Sequence, residues 1–188
     1  MNNRERAALR QQLLKKLRDS FLYSSDPIFT LSSGRKSHFY IDCKKVTLDA
    51  EGATWVGLLI LDLIAELEVD AIGGMTLGAD PIATAVSVLS YESGTPLSAF
   101  IIRKEPKGYG KQSFIEGNVG RETKVIVVDD VLTSGRSTER TIRILQDAGC
   151  DVVKVIALVD RKEGGREHLE KFGFEVESLY TVEDLLKG

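Results

Sequence analysis

Lys124-Val125-Ile126-Val127-Val128-Asp129-Asp130-Val131-Leu132-Thr133-Ser134-Gly135-Arg136-Ser137 joins an apolar run to a polar, glycine-containing turn without a break. The β-branched run from Val125 to Val128 reads as a strand buried on both faces, the kind found inside parallel sheets. Ser137 to Ala148 has helix length, so the intervening turn connects a strand to a helix. In open α/β sheets such turns lie beyond the carboxyl ends of the strands, where ligands bind. Two chemical capacities meet in this one. Thr133, Ser134, Gly135 and Ser137 offer hydroxyls and unpaired backbone N–H groups at a helix start, which suit a phosphate monoester. Asp129 and Asp130, expected at the strand tip, suit hydroxyl groups, a divalent metal or a developing positive charge. Either feature alone is common, as a capped helix start or a solvated turn. Together they point to a ligand that carries phosphate and also hydroxyl or cationic character.

The same alternation recurs on both sides. Ala71-Ile72-Gly73-Gly74, Leu97 to Ile102 and Val152 to Val159 are short apolar runs. Ile82 to Tyr91 has helix length and is entered through Asp80-Pro81, read as cap and first-turn positions. This predicts a three-layer α/β architecture with a central, mostly parallel sheet flanked by helices. Nearer the amino end, Leu9, Leu13, Leu14, Leu17 and Phe21 predict an amphipathic helix from about Ala7 to Leu22, stopped by Ser24-Ser25-Asp26-Pro27. Phe29-Thr30-Leu31 and His38-Phe39-Tyr40-Ile41 flank Ser32-Ser33-Gly34-Arg35-Lys36 and read as two short strands around a turn. Asp49 is the expected cap of a helix running to Leu67, with Glu51 at its positive end. The one long irregular stretch is Lys104 to Gly120. With no internal repeat or linker in view, residues 1–188 are expected to form one domain, with a small appendage from about residues 1–45.

Length and composition agree with this reading. A chain of 188 residues, 43% hydrophobic and 28% charged, can bury a core and is neither disordered nor fibrous. Its 25 Lys and Arg against 28 Asp and Glu give a net charge of -3, so any polyanion site is local and nucleic acid is not an expected partner. The most apolar run, Trp55 to Ile64, is interrupted by Asp62 and falls well short of the ~20 residues that cross a bilayer, so no membrane partner is expected. Met1 to Arg6 is charged rather than apolar, which points to the cytoplasm. Cys43 and Cys150 lie far apart, with no metal-ligand spacing, and are expected to be reduced packing residues. His38 and His168 are isolated, and Trp55 and Phe100 sit in apolar runs as core candidates.

Neither G-x-x-x-x-G-K-[ST] nor G-x-G-x-x-G occurs, which removes P-loop hydrolysis and ordinary dinucleotide binding. A phospho-aspartate receiver would account for acidic strand ends but not for Thr133-Ser134-Gly135-Arg136-Ser137. V-I-V-V-D-D-V-L-T-S-G-R-S, residues 125–137, resembles the phosphoribosyl-pyrophosphate signature of the type I phosphoribosyltransferases. Arg103-Lys104-Glu105-Pro106-Lys107-Gly108-Tyr109-Gly110, followed by Ile115-Glu116-Gly117, is similar to the catalytic loop of the orotate phosphoribosyltransferases. It gathers four cations, Arg103, Lys104, Lys107 and Lys111, directly after a strand. Phe29 to Ser37 resembles that family's hood, Gly78-Ala79-Asp80-Pro81-Ile82-Ala83 its pyrophosphate-side loop and Asp160-Arg161 its base-binding element. The sequence departs from the pattern at Arg136, where glycine is frequent, at Ser32 and Gly78, where many members carry lysine, and at Tyr109, where histidine is frequent.

The resemblance implies a type I phosphoribosyltransferase fold with a small N-terminal hood. It implies transfer of the phosphoribosyl group of phosphoribosyl pyrophosphate to orotate, giving orotidine 5′-monophosphate and pyrophosphate on the route to UMP. Asp129, Asp130, Arg103, Lys104 and Lys107 become the expected catalytic residues. The segment Asp129 to Ser137, including Val131, Leu132 and Arg136, joins Arg103, Lys104, Lys107, Tyr109 and Gly78 as the expected phosphoribosyl-pyrophosphate site. Thr133, Arg161, Phe39 and Tyr40 are the expected orotate contacts. Mg²⁺ is the implied cofactor, held through the substrate's pyrophosphate and ribose hydroxyls, with Asp129 or Asp130 as candidate protein ligand. A homodimer that shares the loop between subunits is also implied. Two other readings stay open: transfer to a different base, and a phosphoribosyltransferase-like regulator that binds nucleic acid without turnover.

Overall fold

The computed structural model describes residues 1–30, 36–106 and 114–187. In chain order its elements are α1 (Asn3–Asp19), β1 (Phe21–Tyr23), β2 (Phe29–Thr30), β3 (Lys36–Ser37), β4 (Phe39–Ile41), α2 (Lys44–Thr47), α3 (Ala50–Leu63), β5 (Ala71–Met75) and α4 (Ala79–Glu92). They continue with β6 (Ser98–Ile102), β7 (Ile115–Glu116), β8 (Lys124–Leu132), α5 (Arg136–Asp147), β9 (Asp151–Asp160), α6 (Gly165–Glu170), β10 (Val176–Thr181) and α7 (Val182–Leu186).

Six strands form one sheet in the order β10-β9-β8-β5-β6-β7, parallel throughout except for β7 against β6. Alternation along β8 explains the two layers of helices. Ile126 and Val128 enter a core shared with Leu13, Leu17, Val56, Ile60, Ile82 and Val86, from α1, α3 and α4. Val125 and Val127 enter a second core with Phe100, Ile142, Leu145 and Leu169 on the opposite face. Each face removes apolar area from water at roughly 25 cal/mol per Å², and that burial holds the layers together. On α5, Thr138, Thr141, Ile142 and Leu145 form one buried stripe at helical spacing.

Several boundaries differ from the sequence expectation. The first helix begins at a capping box between Asn2 and Glu5 and ends at Asp19. Phe21–Tyr23 leaves it because these residues pair antiparallel with Phe39–Ile41. The expected hairpin is therefore two pairings: β2 joins β3, and β4 joins β1. Asp49 caps α3 as expected, accepting from the Gly52 N–H at 3.0 Å, but that helix stops at Leu63. Asp80 is not a cap; it sits in the first turn of α4 and accepts a 2.7 Å hydrogen bond from the Thr76 hydroxyl. The irregular stretch contains β7, and β10, α6 and α7 complete the carboxyl end. Cys43 and Cys150 are buried thiols without a disulfide. Trp55 is only half-buried, with the Lys16 ammonium over its ring, whereas Phe100 is core. Among the described residues no helix is long and apolar enough to cross a membrane.

Candidate active site

The site follows from how β8 ends. β5 pairs with β8 only from Ala71↔Val125 to Gly73↔Val127, whereas β9 stays in register with β8 to Leu132↔Asp160. β8 therefore runs two residues past its acids, and Asp129 and Asp130 lie inside the strand rather than at its tip. Where β5 has departed, the flank of β8 faces a cavity of about 470 Å³. The cavity is walled by Asp129, Asp130, Val131, Thr133, Ser134 and Ser137 on the β8–α5 side. Met75, Thr76, Leu77 and Gly78 form the β5–α4 side, and Thr30, Tyr40, Ile41 and Lys44 come from the hood and α2. Lys104 and Arg161 complete it.

The Thr133-Ser134-Gly135 turn leads into α5 through Gly135, at φ 75°, with no side chain capping the helix. Its first N–H groups are therefore available to an anion, with the positive end of the helix dipole behind them. The glycine requirement falls on Gly135, not on Arg136: a Cβ on Gly135 would lie 2.9 Å from the Gly165 carbonyl oxygen. Arg136 is the first helical residue, is exposed and causes no strain.

The acids differ in their surroundings. Asp129 Oδ2 accepts from the Thr138 hydroxyl at 2.8 Å. Burial, then the neighbouring charge of Asp130, pushes Asp129 up to about 7 against the pull of that hydrogen bond. Asp130 faces Lys44 Nζ at 3.7 Å and packs so closely on Gly78 that a Cβ there would meet its Oδ1 at 2.3 Å.

Arg161 follows the end of β9 and is buried. Its guanidinium lies 4.3 Å from the Phe39 ring centroid, donates to Ser37 Oγ at 3.0 Å and pairs with Glu163 at 2.8 Å. It thereby ties the hood to the sheet. Phe39 supports this cation rather than lining the cavity, whereas Tyr40 lines it and stacks on Phe29.

The sequence-derived site is thus largely assembled, with corrections. Leu132 is fully buried in the core, so only its backbone can face a ligand. The Arg103 guanidinium is held by Glu116 and the Glu105 carbonyl, and neither Arg103 nor Arg136 is among the residues lining the cavity. Lys107, Tyr109 and Ser32 lie outside the described residues. Lys44, Thr76 and Thr138 were not anticipated. The sequence signal for Lys44 was its place two residues after Asp42 at the end of a hood strand.

This chain matches the family model "Phosphoribosyl transferase domain" over residues 46–183. It is 41% identical over 186 residues to the orotate phosphoribosyltransferase of Aquifex aeolicus (strain VF5), covering 99% of each chain. Its fold is similar to crystal structures of Mycobacterium tuberculosis H37Rv orotate phosphoribosyltransferase. The complex with Fe(III) dicitrate gives a TM-score of 0.81 at 36% identity, with 94% of this chain and 98% of that one covered. The complex with 5-phospho-α-D-ribosyl 1-diphosphate (PRPP) gives 0.78 at 34% identity and the same coverage. An acidic pair beside an open helix start, on a sheet shared with these enzymes, leaves a plain conclusion: the chain belongs to the orotate phosphoribosyltransferases, enzymes of pentosyl transfer.

Proposed function

We propose that the chain transfers the phosphoribosyl group of PRPP to orotate, giving orotidine 5′-monophosphate and pyrophosphate for UMP synthesis. The observation that carries this reading is the meeting of Asp129 and Asp130 with the uncapped start of α5 in one cavity. The bond from the anomeric carbon to a pyrophosphate oxygen breaks, and a bond to an orotate ring nitrogen forms as that nitrogen gives up its proton to solvent or to the departing pyrophosphate. Positive character develops on the sugar and negative charge on the leaving group. Thr133, Ser134 and Ser137, with the first N–H groups of α5, hold the 5′-phosphate. Asp129 and Asp130 face the ribose hydroxyls and the cationic sugar, while Lys104, joined by the loop's Arg103 and Lys107, meets the pyrophosphate. Arg161, stacked on Phe39, reads the orotate carboxylate beside Tyr40 and Thr133.

Among the described residues no group of three His, Cys, Asp or Glu side chains could cage a metal. The donor set instead fits Mg²⁺, which accepts one or two carboxylates and takes its remaining ligands from substrate oxygens and water. Asp129 or Asp130 would be the protein's share of that shell, and Mg²⁺ when bound would neutralise charge on the pyrophosphate. A homodimer in which the Arg103–Gly117 loop, apart from Lys104 in its own cavity, serves the partner's site is part of the same reading. It is supported by the Arg103 guanidinium, which is held at Glu116 and not in its own cavity.

The test is pyrophosphate release from PRPP and Mg²⁺ with orotate, uracil and purine bases in parallel. Orotate should be the base consumed, and Asp129→Asn/Asp130→Asn should lower turnover on the order of 10² to 10³ while remaining folded. Near-normal turnover by the folded double variant would remove the acids from the mechanism, and turnover with a purine alone would reassign the base.

A further inference from the structure

Among the described residues, one cation besides Lys104 and Arg161 lines the cavity. Lys44 opens α2 immediately after the hood strand β4. Its backbone N–H donates to Asp42 Oδ1 at 3.2 Å, and its Nζ lies 3.0 Å from the same oxygen and 3.7 Å from Asp130 Oδ2. A short helix and a carboxylate two residues away thus hold the ammonium on the cavity wall, beside the acidic pair. The wall it faces has no charge to offer an anion. That wall is Met75, Thr76, Leu77 and Gly78; the Thr76 hydroxyl is committed to Asp80, and the space over Gly78 is filled by the Asp130 carboxylate.

Resting on the phosphoribosyl-transfer reading above, we propose that Lys44 is a substrate-contacting residue that binds the diphosphate of PRPP at the corner bounded by Gly78 and Asp130. An ammonium has three N–H donors. Asp42 takes one, Asp130 lies at the outer limit of an ion pair, and a phosphate oxygen entering this corner would find a further donor on a side chain that lines the cavity. In the free protein the same charge offsets Asp130, so the acids and the anion site share one cation. Partial burial works against the charge on Lys44, but the hydrogen bond to Asp42 and the fields of Asp130 and Asp42 outweigh it, holding its pKa above the usual lysine range. Lys44 therefore stays cationic wherever the enzyme is assayed.

The experiment compares Lys44→Ala, Lys44→Met and Lys44→Arg with wild type, with the exposed neighbour Lys45→Ala as control. Lys44→Met keeps the aliphatic stem against the wall if Lys44→Ala fails to fold. KM for PRPP and the Kd of inorganic pyrophosphate with Mg²⁺, measured by calorimetry, should each rise on the order of tenfold or more. KM for orotate should stay within about twofold, Lys44→Arg should recover most of the loss, and Lys45→Ala should match wild type. Wild-type PRPP and pyrophosphate constants in folded Lys44→Met would overturn the proposal. So would an equal loss of affinity for both substrates together with a lower melting temperature, which would make Lys44 an anchor for α2. A wild-type protein that binds pyrophosphate through Lys44 but turns over no orotate would support the lysine's role and overturn the reaction instead.

Discussion

On the proposed role of Asp129, folding and reaction make opposed demands of it. Half-buried beside Asp130, its carboxyl is raised to about 7 from an ordinary value near 4. The folded state thus binds this proton more tightly than the unfolded chain does. Between about pH 4 and pH 7 folding takes up a proton at Asp129, so stability falls as pH rises through this window and levels off above it. Above the window the ionised carboxylate that the proposed transfer would use is held at a cost in stability. Asp129→Asn, a neutral near-isostere that can still accept from the Thr138 hydroxyl, should therefore be more stable than wild type at pH 8, on the order of 2 kcal/mol, and nearly equal to it at pH 4. Urea unfolding of both proteins at the two pH values measures this. A stability difference that does not change with pH would mean that Asp129 ionises normally in the fold. Lys44 and Gly78 show the same economy around Asp130: one supplies the charge beside it and the other the space.

The strand β8 and the helix α5 place these residues, and their junction depends on one backbone conformation. Gly135 sits at φ 75°, with the Gly165 carbonyl oxygen 2.9 Å from where a Cβ would be. An L-residue in the left-handed region costs about 1–2 kcal/mol before any clash is counted. Gly135→Ala should thus destabilise by about 1–3 kcal/mol and weaken inorganic phosphate binding, because relieving the contact moves the turn that presents the N–H groups of α5. Chemical denaturation with phosphate titration would show it; unchanged values would mean that the turn is not fixed by this residue. Element by element, the sequence was readable where periodicity was long. The apolar centres of four of the five parallel strands and the amphipathic α5 stand in the residues themselves, whereas β10, whose buried Val176, Leu179 and Tyr180 follow no alternation, left no strand signal. It was unreadable where a partner decided the outcome. Val128 ends the apolar run, so the acids read as a strand tip, yet β8 continues because β9 keeps pairing with it to Leu132. Phe21 and Leu22 read as the end of a helix because Phe21 keeps its period, and only β4 makes Phe21–Tyr23 a strand. Lys44 left no periodic signal because a four-residue helix is barely longer than one turn. The acids and the phosphate turn were legible as adjacent chemistry, whereas the cation beside them arrives from the hood by tertiary folding.

At the scale of the whole molecule, the two cations that follow β6 part company. Lys104 lines its own chain's cavity, while the Arg103 guanidinium, next to it in sequence, is held against Glu116 on β7. If the enzyme is a homodimer with a shared loop, Lys104 acts within its own subunit and Arg103 in the partner's. Subunit mixing separates these roles. A heterodimer of an Arg103→Ala subunit and an Asp129→Asn/Asp130→Asn subunit contains one site with intact acids, an intact Lys104 and an intact incoming Arg103. Such a dimer should recover roughly half of wild-type turnover, since two-fold symmetry gives two equivalent sites and one of them is whole. With Lys104→Ala in place of Arg103→Ala, the lysine and the acids are lost from opposite sites, no site is whole, and activity should stay at the level of the parent variants. The measurement is turnover of heterodimers purified on two different affinity tags, with composition confirmed by native mass. Recovery in both mixtures would make Lys104 a shared residue as well. Recovery in neither would confine the loop to its own subunit, and a monomer by sedimentation would end the shared-loop reading.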